Sequence, residues 1–387
     1  MSEAFEAAFA RLPQAQRTQR SAAWQAFRET GLPRKHAEDW RYTDLSTLAQ
    51  ATFIAAPLTH PELPSLEGAE TLAFVNGYCA DGSLALVTPM GSAPLRCGIS
   101  ALNGALASDG LNLRVAPGKL REPLYLVTWF GGTDQGMAHL RHRIELGANA
   151  RATVVVHETG DAAPFFATQV FEVELGDNAQ LDLYRVQQPG RATQVVTRLD
   201  ARLSRDARFN CVSLHGGSAL ARHDVNIRLD APGASAELHG LLVPVAGAHL
   251  DVHTRLDHAA PHGYSRETFR ALVPAGARAS FNGKVIVHRG AQKTDSEQHV
   301  DSLLLAPGAE VNAKPELQID ADDVKCAHGA TCGQLDEDAL YYLRARGIDL
   351  AEARKLLLGA FADHIVQRFA FEPARALAQQ VLAASLP

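Results

Sequence analysis

A short turn recurs along this chain at a nearly fixed interval, and that interval constrains the fold more than any other feature. The turns have the form Gly-x-x-Ala: Gly147-Ala-Asn-Ala150, Gly176-Asp-Asn-Ala179, Ser204-Arg-Asp-Ala207, Gly233-Ala-Ser-Ala236, Gly276-Ala-Arg-Ala279 and Gly308-Ala-Glu-Val311. Their fourth positions are spaced by 29, 28, 29, 43 and 32 residues. A half-step turn, Gly247-Ala-His-Leu250, falls inside the long interval. Between the turns lie alternating or apolar runs: Ala152–His157, Val170–Leu175, Leu181–Val186, Ala236–Leu242, Ser280–His288 and Glu316–Ile319. A period near 29 with a half-period near 14, and almost no helical periodicity, is the signature of a solenoid. Each coil buries its apolar face only against its neighbours, so coils must stack. The expectation is a mainly β protein with a parallel β-helix core. The second choice is a β-sandwich, whose hairpins would not leave a coil-length period.

The ends read differently. Ser2 opens a helix with Phe5, Phe9 and Leu12 on one face, stopped near Pro13. Ser21 is the expected cap of a second helix that points Trp24 and Phe27 inward and stops at Gly31. Trp40 and Tyr42 then read as an aromatic anchor onto the body. Residues 52–70 are Pro-rich, and residues 71–130 mix short strands (Thr71–Asn76, Leu84–Thr88, Leu111–Val115, Pro123–Phe130) with turns at Asp81-Gly82 and Asp109-Gly110. At the C-terminus, Asp336 caps a helix through Arg346 that Gly347 ends. Asp349 with Glu352 opens another, and Leu357, Phe361, Ile365 and Phe369 give it an apolar stripe. Pro373 precedes a last helix, Ala374–Leu386. The division is a helical region over 1–50, a mixed short-strand region over 51–136, the β-helix core over 137–334 and a helical domain over 335–387.

Bulk properties exclude several functions. A formal charge of −6 with no basic cluster argues against nucleic-acid binding. No run reaches the roughly 18 apolar residues of a membrane helix. Five scattered cysteines (Cys79, Cys97, Cys211, Cys326, Cys332) form no disulfide framework, and the first residues lack a signal-peptide core, so the expected location is a reducing cytoplasm. No phosphate loop, nucleophile elbow or dinucleotide fingerprint is present, so the chain is not expected to hydrolyse ATP itself.

The chemically suggestive segment is Ile319–Thr331. Cys326 and His328 are two apart, which places both side chains on one face of a strand. Two soft ligands do not close a metal site, so further ligands would come from elsewhere, including another chain. Cys332 lies beyond two glycines, where a turn could bring it near His328. Asp320, Asp322 and Asp323 read as solvated acids that could add oxygen ligands. Nine histidines in the repeat and its flank (His215, His223, His239, His249, His253, His258, His262, His288, His299) are expected mostly on the coil surface.

The runs Asp301-Ser-Leu-Leu-Leu305, Pro307–Thr331 and Tyr342-Leu-Arg-Ala-Arg-Gly-Ile348 resemble the SufB/SufD family of iron–sulfur cluster assembly scaffold subunits in order and spacing. Gly31-Leu-Pro-x-Lys-x2-Glu-x-Trp-Arg-Tyr-Thr43 resembles the N-terminal signature of the SufD branch. SufB-like chains carry a cysteine where this chain has Val300, and Glu-His-Glu where it has Ala327-His328-Gly329. The resemblance implies a right-handed parallel β-helix between α-helical ends, and a non-catalytic scaffold. It implies pairing with a SufB-like paralogue through the β-helix ends; an isolated chain, with its coil end open, has the alternative of pairing with a second copy of itself as a homodimer. A SufC-like ATPase would bind the C-terminal helices around Tyr342, Arg346, Leu357 and Phe361. His328, with Cys326 as the weaker candidate, would serve cluster assembly at the partner interface. No cofactor would be held tightly by the isolated chain, and an iron–sulfur cluster would form transiently in the complex. The alternatives are a self-contained metal-binding enzyme or a carbohydrate-binding β-helix protein.

Overall fold

The computed structural model describes residues 3–34, 37–46, 48, 51–80 and 97–386. The cap at Ser2, the turn at Asp81-Gly82 and the strand Leu84–Thr88 lie outside these residues. Among the described residues the chain forms two parallel sheets wound as one solenoid of about eight turns, with helices on both flanks.

Sheet A takes the even-numbered strands of the repeat: β6 (Gly136–Leu146), β8 (Phe165–Leu175), β10 (Thr193–Leu203), β12 (Leu220–Leu229), β14 (His249–His258), β16 (Arg278–Val287) and β18 (Glu310–Ile319). Sheet B takes the odd ones: β5 (Leu124–Phe130), β7 (Arg151–Gly160), β9 (Gln180–Gln188), β11 (Arg208–Gly216), β13 (Ser235–Val243), β15 (Tyr264–Val273), β17 (Asp295–Leu304) and β19 (Lys325–Gly333). The stack begins before residue 137. β1 (Ile54–Ala55) and β4 (Asn112–Val115) pair with β6, and β2 (Glu70–Val75) pairs with β5 and with the short antiparallel β3 (Tyr78–Cys79). Residues in register on neighbouring coils are as few as 26 apart (Gln194 beside Leu220) and as many as 32 apart (Arg278 beside Glu310).

The turn motif marks two different corners. At the corner from sheet A to sheet B, Ala150, Ala179 and Ala207 donate their amides to the carbonyls of Gly147, Gly176 and Ser204. The third turn residue, Asn149, Asn178 or Asp206, takes the left-handed conformation. At the corner from B to A, the left-handed residue is the glycine itself, Gly247, Gly276 and Gly308, as it also is at Gly233 on the A-to-B corner. The irregular 43-residue step is therefore one and a half coils, where the visible motif changes corner.

The interior is one apolar column fed by both sheets, including Phe171, Leu199, Leu238, Phe269, Phe281 and Val300. Both sheets are also buried over the part of their outer faces that the helices cover, which explains near-continuous apolar strands such as Val154-Val-Val156, while elsewhere the outer face carries exposed charges such as Arg202, Arg228 and Arg255. Sheet A carries the N-terminal helices α1 (Glu3–Arg11), α2 (Gln14–Gln19) and α3 (Ser21–Thr30), with Phe5, Phe27 and Phe53 against Met137, Phe166 and Val196. Ser21 does not cap. α2 leads straight into α3, Trp24 already bonds the carbonyl of Arg20, and the Ser21 hydroxyl donates back to Thr18 at 2.8 Å. Gly31 ends α3 as expected, with a left-handed φ and its amide on Phe27.

A further helix, α4 (Gly98–Leu106), is missed by the periodicity because all nine of its residues are buried and it has no polar face. Asn103 ties it to the solenoid through Leu140 O and Thr168 Oγ1, each at 2.9 Å.

Sheet B carries the C-terminal helices α5 (Glu337–Ala345), α6 (Leu350–Val366) and α7 (Glu372–Ser385). Asp336 and Asp349 cap as the sequence indicates, accepting from Asp338 and Ala339 and from Glu352. Ile365 and Phe369 are buried, and Tyr184 stacks on Phe369 with ring centroids 5.5 Å apart. Leu357 and Phe361, earlier on the same stripe, are half-buried. No helix among the described residues is long and apolar enough to cross a membrane.

Candidate functional site

The solenoid is uncapped at its C-terminal end. β18 and β19 are the outermost strands of sheets A and B, and none of their residues is buried, whereas β16 and β17 directly beneath them bury seven and four. An outermost strand leaves a row of backbone donors and acceptors without sheet partners. Cys326 and His328 sit on β19 at this end.

Their direction follows from register. Cys326 lies beside Ser296, and His328 lies beside Gln298. Ser296 and Gln298 lie in turn beside Ser265 and Glu267 on β15. Cys326 packs against the interior column, so its neighbour two residues on shares the inward face. Two polar columns therefore climb the lumen to the open end. In the first, His258 Nε2 meets Ser265 Oγ at 2.9 Å, Ser265 donates to Ser296 Oγ at 2.8 Å, and Cys326 stands on Ser296. In the second, Gln298 Nε2 donates to Glu267 Oε2, and His328 stands on Gln298. Glu267 is fully buried. Burial pushes its carboxyl up to about 7, against the opposing pull of Thr254 and Gln298. Burial also raises the Cys326 thiol, against a backbone hydrogen bond from Ser296. That thiol is protonated at neutral pH and would need to lose its proton to bind a metal.

Cys332 does not turn back toward His328. The strand runs on through Gly329, so Cys332 is displaced along it by about 13 Å at ~3.3 Å per residue. Of the acids beyond β18, Asp323 pairs with Lys293, and its amide donates to Gln292 Oε1 at 2.9 Å; Asp320 and Asp322 are exposed. Among the described residues no three His, Cys, Asp or Glu side chains converge as a metal cage. Cys326 and His328 thus stand on the open side of the last coil with no third ligating side chain beside them among the described residues.

On the C-terminal helices, Tyr342 and Arg346 are exposed and lie together, the guanidinium 3.7 Å from the ring centroid. Phe361 faces the body. The Arg270 guanidinium lies 4.6 Å from its ring centroid and donates to its carbonyl at 2.7 Å.

The expectation of surface histidines is corrected for four of the nine. His215, His223, His239 and His258 are buried. His215 and His223 project into the lumen from opposite sheets and share Gln187 Oε1, at 3.2 and 2.9 Å. Beside them a buried pair, Arg185 and Glu158, closes at 2.7 Å, and Gln187 donates to Glu158 at 2.9 Å. For His215, His223 and His258 the reason is geometric: a strand in a coil has one side chain in two pointing inward, and polar ones are tolerated there when they satisfy each other. His239 shares the outer face of β13 with Leu241 and Val243, which the C-terminal helices cover. The single-sequence signal for this is faint. Gln298, Glu267, Ser265 and Ser296 were missed for the same reason, since only register shows that they underlie His328 and Cys326.

A family model described as SUF system FeS cluster assembly, SufBD core domain, matches residues 129–361. The chain is similar to the iron-sulfur cluster assembly protein SufD of Escherichia coli, 31% identical over 92% of this chain and 88% of that one. It is also similar to an iron-sulfur cluster assembly SufBD family protein of Synechocystis, at 29% identity over 87% of this chain and 84% of that one. A third relative is the chloroplastic protein ABCI7 of Arabidopsis thaliana, 35% identical over 70% of this chain and 59% of that one.

Proposed function

The chain belongs to the SufBD family of SUF-system iron–sulfur cluster assembly proteins, and we propose that it acts there as a non-catalytic scaffold subunit. One observation carries this reading. The inward face of the last, uncapped coil presents His328 and Cys326 where a second solenoid can be set against them. A SufB-like paralogue stacked on β18 and β19 would satisfy the open edges and bring the missing ligands. The cluster is cargo, assembled between the two chains, with His328 as the ligand or proton-handling group on this side. An isolated chain has the same open edges to offer a second copy of itself, and a homodimer is the expected form without the paralogue.

The C-terminal helices are the proposed seat of a SufC-like ATPase, with Tyr342 and Arg346 as the exposed contact and Leu357 and Phe361 at its apolar margin. ATP-driven movement of that partner would be passed to the open end through the helices packed on sheet B. The proposed location is the cytosol. One relative is chloroplastic by name, so the family extends to another compartment.

The test is anaerobic purification of the chain from its own cells, followed by cluster formation on whatever complex is obtained. The expected companions are an ATPase and a longer paralogue, and His328→Ala should leave the complex intact while lowering cluster formation roughly tenfold or more. Unchanged cluster formation in that variant would remove His328 from the mechanism. A chain that arrives alone with stoichiometric metal would overturn the scaffold reading in favour of a self-contained metal protein.

A further inference from the structure

Gln298 is fully buried, one rung below His328 in register and one rung above Glu267. Its two amide ends have different fates. Nε2 donates to Glu267 Oε2, whereas the buried Oε1 has no hydrogen-bond partner. A buried amide oxygen left unsatisfied is costly, and such atoms call for an explanation. The rungs are about 4.8 Å apart, the ordinary separation of neighbouring strands, so a side chain on one reaches the side chain standing on it. Space around the amide is limited by the opposite sheet. Gly283 stands across from it on β16, and a Cβ at Gly283 would come within 2.8 Å of Gln298 Nε2 and 2.6 Å of the Phe281 ring. The amide is thus anchored from below by Glu267 and confined from the side, and the next rung above it in the column is that of His328, exposed at the open end.

We propose that Gln298 is a positioning residue for His328: its Oε1 accepts the N–H of one imidazole nitrogen. The other nitrogen is then left with its lone pair facing the open end of the solenoid. A neutral imidazole has two tautomers, and the nitrogen that binds an electrophile or a proton is set by the hydrogen bond that the other one makes. Carbonyl acceptors behind a ligating histidine play this part widely. Glu267 contributes indirectly. By accepting from Nε2 it fixes which end of the Gln298 amide faces upward, so the column Glu267–Gln298–His328 converts a buried acid into a fixed tautomer at the edge. This inference rests on the reading of His328 as the assembly residue and adds what prepares it.

The test reads the tautomer directly, apart from any cluster chemistry. The full chain is labelled with 15N-histidine, and the ring nitrogens of His328 are followed at pH 8, above the ordinary imidazole pKa of about 6.5. His328→Asn identifies the signals. The wild-type chain should show one protonated and one bare nitrogen for His328. In Gln298→Leu the two shifts should move toward each other as the tautomers average, and Gln298→Glu, which keeps an acceptor, should restore the separation. The His258 and His215 signals, deep in the lumen, report whether each variant keeps its fold. Averaged tautomers already in the wild-type chain, or the same separated pair in Gln298→Leu, would overturn the proposal. The wild-type spectrum decides alone should the leucine variant fail to fold. A fixed tautomer together with undiminished cluster formation in His328→Ala would sink the assembly role and leave the Gln298 contact standing.

Discussion

The Trp40 ring lies 4.2 Å from the guanidinium carbon of Arg222, one of the largest fully buried side chains in the molecule. The same guanidinium donates to Asp251 and to Asp224, each at 2.8 Å, and the Thr43 hydroxyl also donates to Asp251. The segment after α3 is thereby clamped onto β12 and β14 by a desolvated cation between an indole and two carboxylates.

That clamp makes the Trp40 side chain a fastening of the N-terminal region, beside the Phe5 and Phe27 packing. Trp40→Ala should cost about 3–5 kcal/mol, the range for emptying a buried aromatic site. Amide exchange should quicken over residues 3–30 more than in sheet B. Uniform loss of protection across both sheets would show that the helices are not held through this contact.

The lumen pair Glu158 and Arg185 is buried on both sides. Glu158→Ala leaves a guanidinium without its counter-charge and should destabilise by about 3–5 kcal/mol, whereas replacing both residues by apolar ones of similar volume should cost much less. Urea unfolding of the two variants measures this. A single variant within 1 kcal/mol of the parent (small beside the ~3 kcal/mol floor expected for a broken buried pair) would mean that water reaches Arg185.

Burial holds several histidines neutral: His142 and His215 are pushed down to about 3, and His258 to about 4. In the unfolded chain each takes up a proton near pH 6.5. Between that value and the folded one, the unfolded state binds the extra proton. Stability therefore falls as pH drops through this window, by up to about 1.4 kcal/mol per unit for each such group. Unfolding midpoints between pH 7 and pH 5 should decline, and His215→Gln should flatten the decline by one histidine's share. An unaltered slope in that variant would place His215 in contact with solvent.

Glu267 has the opposite sign. Its folded pKa is raised from 4.5 to about 7, so between these values the folded state keeps a proton that the unfolded state has lost. Its contribution to stability decreases as pH rises through this window. Glu267→Gln should therefore gain stability over the wild-type chain above pH 7 and show no such gain below pH 4.5. A variant with the same offset at both pH values would show that the carboxyl is ionised throughout.

Much of the architecture is legible in single residues. The small alanine at the turn is read directly, because Ala150, Ala179 and Ala207 each occupy a corner with no room for more. Asp336 and Asp349 cap where local sequence places them, since capping needs only the next three residues. Ser21 misleads for the converse reason: whether a helix already precedes a candidate cap depends on packing. α4 is hidden because burial on every side removes the amphipathic pattern by which a helix is recognised.

The sequence by itself determined that the chain winds in coils of about 29 residues, that helices flank them, and that Cys326 and His328 share a strand face. These follow from local rules: turn conformation, two-residue alternation and helix capping act over a few bonds. Only the tertiary structure decided that His328 stands on Gln298 and Gln298 on Glu267, and that His215 and His223 meet across the lumen. Coil length drifts between 26 and 32 residues. Period alone therefore cannot say which side chain lies under which, and a slip of one residue would turn every one of them to the other face. Stacking settles the register through the corners and the packed interior, and the register sets which polar groups underlie the open end.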